Sequence, residues 1–362
     1  MIRSLSIRGY RTFERFELTG LGRINLIVGS NNSGKTSVLE ALYLLSSAAD
    51  PTVLWRILAR RGERLNIERR QELDASHLFH GHEGGLGAEF SISTRNTATS
   101  NLRCQVRESN RRSSSKELSL GDKNEPIGPR LDLIFSGSPE PQVPIIPLTS
   151  RGGLDIDGLE VSRRRRPNQL SADAPQYITT ESLSVYELAQ MWNNIVLTDA
   201  EERVLAALRF LVPEIDRIAS ISAGDNYYNA NRGGFMVKLR GAHQPIPIGS
   251  LGDGTWRMLA LAMALAQSKN SVVLIDEIDT GLHYTVMESM WKFVADAALE
   301  LNVQVFATSH SADCIASLAS ICHKNENSND VTIQRIEPGE REAVRFTEAQ
   351  IRVAAERNIE VR

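Results

Sequence analysis

Four stretches combine residue types and spacings suited to phosphate chemistry. Gly29-Ser-Asn-Asn-Ser-Gly34-Lys35-Thr36 fits G-x-x-x-x-G-K-[ST] in full. Glycines let such a loop curl, so that backbone N–H groups from Gly29, Asn31, Asn32, Ser33 and Gly34 through to Ser37 face phosphate oxygens. Lys35 then reaches the β- and γ-phosphates, and the Thr36 hydroxyl supplies a ligand for Mg2+. Ser271–Ile275 is a buried run that ends on Asp276-Glu277. Asp276 is placed to hold the Mg2+ shell, and Glu277 to orient or deprotonate a water. Ala307-Thr308-Ser309-His310 ends a second apolar run, with His310 set to sense a γ-phosphate. Leu251-Gly252-Asp253-Gly254-Thr255 precedes an apolar helical run, and two glycines before a helix start make an anion site.

These residues need elements to position them. Ile2–Ile7 alternates like a half-buried strand, Ile24–Val28 is a short apolar strand, and Ser37–Leu45 is a helix. The Arg-rich stretch 50–72 reads as helical. Short strands are expected at Ala88–Ile92, Leu102–Val106, Leu131–Ile134 and Phe235–Leu239. Residues 109–116 form a polar tip, and six of the 13 prolines lie between Pro126 and Pro147, which reads as loop or edge strand. Thr198 and Glu201 make a capping box at the head of a helix striped by Val204, Leu205, Leu208, Leu211 and Val212, with Pro213 as its stop. Leu259–Ala266 is apolar on every side and reads as a buried helix. Val272–Ile275 and Val303–Ala307 are the continuous apolar strands of a parallel sheet covered on both faces. The expected division is an α/β P-loop core from 1–48 and 233–362, an inserted β-rich and loop region over 49–184, and a helical arm over 185–232.

The chain has 362 residues, 41% hydrophobic and 23% charged, which allows a sizeable core and excludes collagen-like and wholly disordered classes. Arg3, Arg8, Arg11, Glu14, Arg15 and Glu17 leave no secretory h-region, and no apolar run spans a bilayer. Cys104, Cys314 and Cys322 form no C-x-x-C pair, so a soluble, reduced, cytoplasmic protein is expected. Residues 1–180 carry 25 Lys and Arg against 20 Asp and Glu, and residues 181–362 carry 16 against 24. Arg163–Arg166 and Arg111–Lys116 read first as solvated loops and second as contacts to DNA or an acidic partner. His77, His80 and His82 lack a completing ligand and read as surface or packing residues rather than a metal site. Trp55, Trp192, Trp256, Trp291 and Cys314 read as core residues.

Phosphate loop, long insertion, signature, Asp-Glu strand and His strand come in the order of ABC-type ATPase heads of the chromosome-segregation and double-strand-break-repair kind. The opening Ile7-Arg-Gly-Tyr-Arg11-Thr-Phe13 resembles theirs as well. G-x-N-N-S-G-K-T, L-G-D-G-T and Ile278-Asp-Thr-Gly-Leu-His283 resemble the OLD (overcoming lysogenization defect) family and its standalone relatives, many of which act in bacterial antiphage defence. The resemblance covers residues 1–48 and 185–320 by motif. It implies a P-loop fold with a mixed sheet, ATP and Mg2+ as cofactors, and head-to-tail closure of two copies or a larger even assembly. ATP on Gly29–Thr36 of one copy is then capped by Gly252, Asp253, Gly254 and Thr255 of the other. It also implies that Arg11 approaches the phosphates and that Asp279 contacts the opposite subunit. Gly252 replaces the signature serine, and Asp253 brings a carboxylate toward the phosphate, so transporter-like turnover is not expected; Gln71 is within sequence reach of a Gln-loop role. OLD proteins generally continue into a Toprim nuclease domain, for which the 52 residues after His310 are too few, so a separately encoded effector, such as a Toprim nuclease, is expected as partner. The alternatives are a repair ATPase that clamps DNA and a scaffold with structural ATP.

Overall fold

The computed structural model describes residues 1–65, 72–95, 99–109, 131–138, 145–149, 152–155, 175–181, 183–221, 234–322 and 330–361. Gln71, Arg69, Arg70, Arg111–Lys116 and Arg163–Arg166 lie outside them.

Strands β1 (Ser4–Tyr10), β2 (Phe13–Thr19) and β3 (Ile24–Gly29) lead into helices α1 (Lys35–Ser46) and α2 (Pro51–Arg60). Asp50 caps α2 by accepting the Thr52 N–H, with Pro51 at the first helical position. The arginine-rich helix ends at Arg60 instead of running on to residue 72. Gly62 turns the chain at φ +66°, and β4 (Arg64–Leu65) and β5 (Glu72–Asp74) pair antiparallel. Next come β6 (Glu89–Arg95), β7 (Thr99–Glu108), β8 (Leu131–Ser138), β9 (Ile145–Pro147), β10 (Gly153–Asp155) and β11 (Gln176–Ile178). Helices α3 (Val185–Ile195) and α4 (Asp199–Arg209) precede β12 (Ile215–Ser220), β13 (Phe235–Leu239) and β14 (Ile246–Pro247). The last part holds α5 (Asp253–Gln267), β15 (Val272–Ile275), α6 (Tyr284–Glu300), β16 (Gln304–Thr308), α7 (Ala312–Leu318), β17 (Val331–Ile336), β18 (Val344–Phe346) and α8 (Glu348–Glu356).

The central sheet runs β11-β15-β16-β3-β17-β18 and is parallel up to the antiparallel edge strand β18. Alternate residues of its strands feed two cores. Ile24, Leu26, Val28, Val273, Ile275, Val305 and Ala307 pack on one side with helices α3 to α8. Ile27, Leu274 and Phe306 pack on the other with α1, α2 and a second, antiparallel sheet in the order β2-β1-β6-β7-β8-β9. Burial on both faces is why these strands read as unbroken apolar runs. Pro147 sits in β9, an edge strand that tolerates a missing N–H.

Residues 49–184 thus supply β6 to β9 to the sheet begun by β1 and β2, and β11 to the edge of the central sheet. Residues 185–232 supply α3 and α4, whose Leu188, Trp192, Val204 and Leu208 join the core around α5. Thr198 caps α4 through the Ala200 N–H, but Glu201 accepts from Leu197, one residue earlier than a reciprocal box requires, at 2.7 Å. The reciprocal box forms instead at Ser184 and Glu187, heading α3. Trp192, Trp256, Trp291 and Cys314 are core residues. Among the described residues no helix is long and apolar enough to cross a membrane.

Candidate active site

Parallel strands deliver their C-terminal ends to one edge of a sheet, where ligands of such folds bind. Here β3, β15 and β16 are in register, with Ile275 opposite Ala307 and Thr308 opposite Ile27. The ends of β15, β16 and β3 therefore lie at one edge, where Asp276, Ser309 and the loop after Gly29 leave the sheet. Gly34 precedes α1 in the left-handed region at φ +98°, and a Cβ there would run into the Phe13 ring and sit 2.9 Å from Thr12 Oγ1. Only glycine meets both demands. Asn31 and Asn32 are exposed, and Asn32 is also left-handed at φ +63°.

The side chains predicted for phosphate chemistry meet at this edge. Thr36 Oγ1 lies 3.0 and 3.2 Å from the two Asp276 carboxylate oxygens. Thr308, fully buried, donates its hydroxyl to Asp276 Oδ1 at 2.6 Å and accepts the Glu277 N–H at 2.8 Å. Glu277 sits at φ +48°, a strained conformation for a residue with a Cβ. Its Oε2 accepts from Thr280 at 3.3 Å and its Oε1 lies 3.5 Å from His310 Nδ1. Lys35 Nζ donates to the Gly29 and Ser30 carbonyls at 2.9 and 2.8 Å. Burial pulls the Lys35 ammonium below the usual lysine range, against the opposing pull of Asp276 and Glu277.

The arrangement fits a phosphate and a hard divalent cation. Ser33 Oγ is buried inside the loop with no hydrogen-bond partner, an orphan donor that an anionic oxygen would satisfy. Thr36 and Asp276 place hydroxyl and carboxylate oxygens together, the donor set Mg2+ prefers.

Other predicted residues go elsewhere. Arg11 was expected at the phosphates, but its guanidinium is buried between carboxylates: Nε is 2.7 Å from Glu40 and Nη1 2.6 Å from Glu63. Glu40 also binds Arg61 at 2.8 Å, and Arg61 donates to the Ser37 hydroxyl at 3.3 Å, so Ser37 and Arg11 meet one ionic cluster bracing the start of α1. Burial pushes the Glu40 carboxyl up, against the pull of Arg11 and Arg61. Gly252 caps α5 at φ +90°, and Thr255 turns its hydroxyl back to the Leu251 carbonyl at 3.0 Å. Asp253 is exposed. Gly254 abuts the loop after β15, where a Cβ would lie 2.6 Å from the Gly281 carbonyl oxygen. Asp279 lies in that same loop, its Oδ1 buried without a hydrogen-bond partner. His77 and His82 meet Nδ1 to Nδ1 at 2.9 Å, and His80 lies 3.0 Å from the Arg11 carbonyl. Among the described residues no three His, Cys, Asp or Glu side chains group to hold a metal.

Two participants escape the motif reading. Thr308 stands two positions before the predicted His310, in the same quoted stretch. Arg257 is the one charge in the apolar run Trp256–Ala266, and that isolation was its signal. Burial pulls the Arg257 guanidinium down to about 10, with Asp276 next among its influences and acting in the opposite direction.

The family described as "AAA domain, putative AbiEii toxin, Type IV TA system" matches residues 24–315. The chain belongs to this family. A Helicobacter pylori protein named "ATP/GTP phosphatase" is 24% identical over 352 residues, 90% of each chain. The Bacillus velezensis DNA replication and repair protein RecF is 45% identical over only 47 residues, 13% of each. Among solved structures, an Smc head bound to the C-terminal winged-helix domain of ScpA aligns over 96% of this chain and 97% of its own, at TM-score 0.53 and 12% identity. A Pyrococcus furiosus-derived complex of an Smc head with extended coiled coil and the ScpA C-terminal domain aligns over 99% and 100%, at TM-score 0.51 and 12% identity. The fold is that of SMC-like P-loop heads, and this member of the AAA-domain family is an ATPase.

Proposed function

We propose that this ATPase is a relative of the OLD kind. Two copies close head to tail over Mg-ATP, and the closed assembly is the sensor or scaffold of a bacterial antiphage system that controls a separately encoded effector, a Toprim-type nuclease. The observation that carries the reading is the juxtaposition of Lys35, Thr36, Asp276, Glu277 and His310 at one sheet edge, while Gly252–Thr255 packs on the Gly281 loop. A family description that includes a toxin of a two-part system supports a paired effector. We place the protein in the cytoplasm.

In this reading Lys35 leaves its two loop carbonyls to pair with the β/γ-phosphates. Thr36 and Asp276 would hold Mg2+, which, when bound, neutralises charge building on the phosphates. Glu277 takes the proton of the attacking water, and His310, 3.5 Å away, stabilises the carboxylate's orientation. Asp279 and the Gly252–Thr255 backbone face the partner copy. The test is phage plating on cells carrying the protein with its candidate effector. Protection that disappears with Lys35→Ala supports the reading, and protection indifferent to that change overturns it. A second reading, an ATP-closed DNA clamp, is favoured by the short similarity to RecF; hydrolysis stimulated by DNA is its signature.

A further inference from the structure

Helix α5 carries the signature residues at its start and Arg257 within its first turns. Arg257 is only 4% exposed. A buried guanidinium is ordinarily paired with a carboxylate. The hydrogen bonds of Arg257 go instead to main-chain carbonyls. Nη2 donates to Asp276 O at 2.5 Å and to Glu277 O at 3.0 Å, and Nη1 donates to Thr179 O beside β11. These are the carbonyls of the two acids of the site and of the residue that follows β11, the strand that pairs with β15.

The peptide they hold needs holding. Glu277 occupies the left-handed region, where an L side chain is strained unless its surroundings fix it. Thr308 fixes the N–H side of that peptide, at 2.8 Å from Glu277 N. Arg257 fixes the carbonyl side. Thr308 also fixes the Asp276 carboxylate, and the Thr280 N–H reaches the Glu277 carbonyl at 3.0 Å, but among the described residues no other charged side chain grips the Glu277 backbone.

We propose that Arg257 is a positioning residue for ATP hydrolysis: its guanidinium fork locks the Asp276–Glu277 turn in the backbone geometry that aims the Glu277 carboxylate, and ties that turn to the signature helix. It touches no reacting atom. This rests on Glu277 being the hydrolytic carboxylate. A planar fork reaches carbonyls on two segments at once, which a lysine ammonium does not.

The experiment compares Arg257→Lys, which keeps charge and most of the stem, with Arg257→Met, which keeps the volume and removes every donor. Steady-state phosphate release, equilibrium binding of a fluorescent ATP analogue and thermal unfolding are measured on the full chain. A displaced catalytic group costs about 10²-fold in rate. Both variants are therefore expected to lose about 10²-fold in kcat, while analogue affinity stays within about threefold because Gly29–Thr36 is untouched. In a Glu277→Gln background, Arg257→Lys should cost less than about twofold more in single-turnover hydrolysis, since the group it positions is already disabled. Wild-type kcat in Arg257→Lys overturns the inference. So do a kcat loss that follows the Tm of the two variants, a matching loss of analogue affinity, or an additive loss in the double variant. Wild-type turnover in Glu277→Gln alone overturns the reading of Glu277 on which the inference stands, a result distinct from all of these.

Discussion

Two regions meet at the Asp276–Gly281 segment and are built differently. On the phosphate-loop side, chemistry is carried by side chains that already hold one another: Thr36 on Asp276, Thr308 on Asp276, His310 beside Glu277. On the signature side only Asp253 offers an exposed polar side chain. Thr255 bonds its own turn, two of the four residues are glycines, and what α5 presents beside the Asp253 carboxylate is the backbone of a helix start. Packing differs in the same sense. The first region is spaced by hydrogen bonds near 3 Å; the second is spaced by the absence of a Cβ at Gly254. The first region should therefore be broken by removing atoms, and the second by adding them.

The largest effect is expected from removing atoms on the phosphate-loop side. Lys35→Ala leaves the phosphate charge without its ammonium, and Mg-ATP affinity should fall by about 100-fold or more, since a truncated buried charge pair costs about 3–5 kcal/mol. Isothermal titration checks it, and affinity within threefold of wild type would show that the loop does not hold the nucleotide.

Adding one carbon on the signature side should come next. Gly254→Ala places a Cβ 2.6 Å from the Gly281 carbonyl, an overpacking that costs about 1–3 kcal/mol. Calorimetry should register a Tm lower by several degrees. ATP affinity of the single subunit should stay unchanged while ATP-dependent association is lost; intact association would mean that α5 does not face a partner.

The smallest effect sharpens the contrast through charge. Burial sets Lys35 below the ordinary lysine value of 10.5. ATP favours the protonated ammonium, so affinity is full at pH 7 and declines as pH rises through that lowered value, earlier than an exposed lysine would dictate. Titrations between pH 7 and 10 should show the decline, and Lys35→Arg should abolish it. No backbone N–H titrates in that range, so Gly252→Ala should leave the pH profile unchanged.

How much of this was legible follows the range of each interaction. The phosphate loop, the Asp276–Glu277 strand end and the parallel strands are written in contiguous residues, and the structure places them at one edge. The boundary at Arg60 was not legible, because a run of arginines has helical propensity whether or not Gly62 turns the chain. Arg11 found Glu63, 52 positions away, and no local spacing announces such a pair. Gln176–Ile178 is too short to show a period, yet it pairs with β15. Glu201 has the spacing of a capping box but reaches Leu197, a choice set by the turn before the helix. Arg257 was visible as a charge in an apolar run, but only the fold shows that it grips the two acids.

The most direct test of the central claim is the mass of Glu277→Gln protein by light scattering, with and without Mg-ATP. The account predicts a mass that doubles only when Mg-ATP is present, because the phosphate loop of one copy needs the signature backbone of another. A mass that is the same in both conditions would contradict head-to-tail closure.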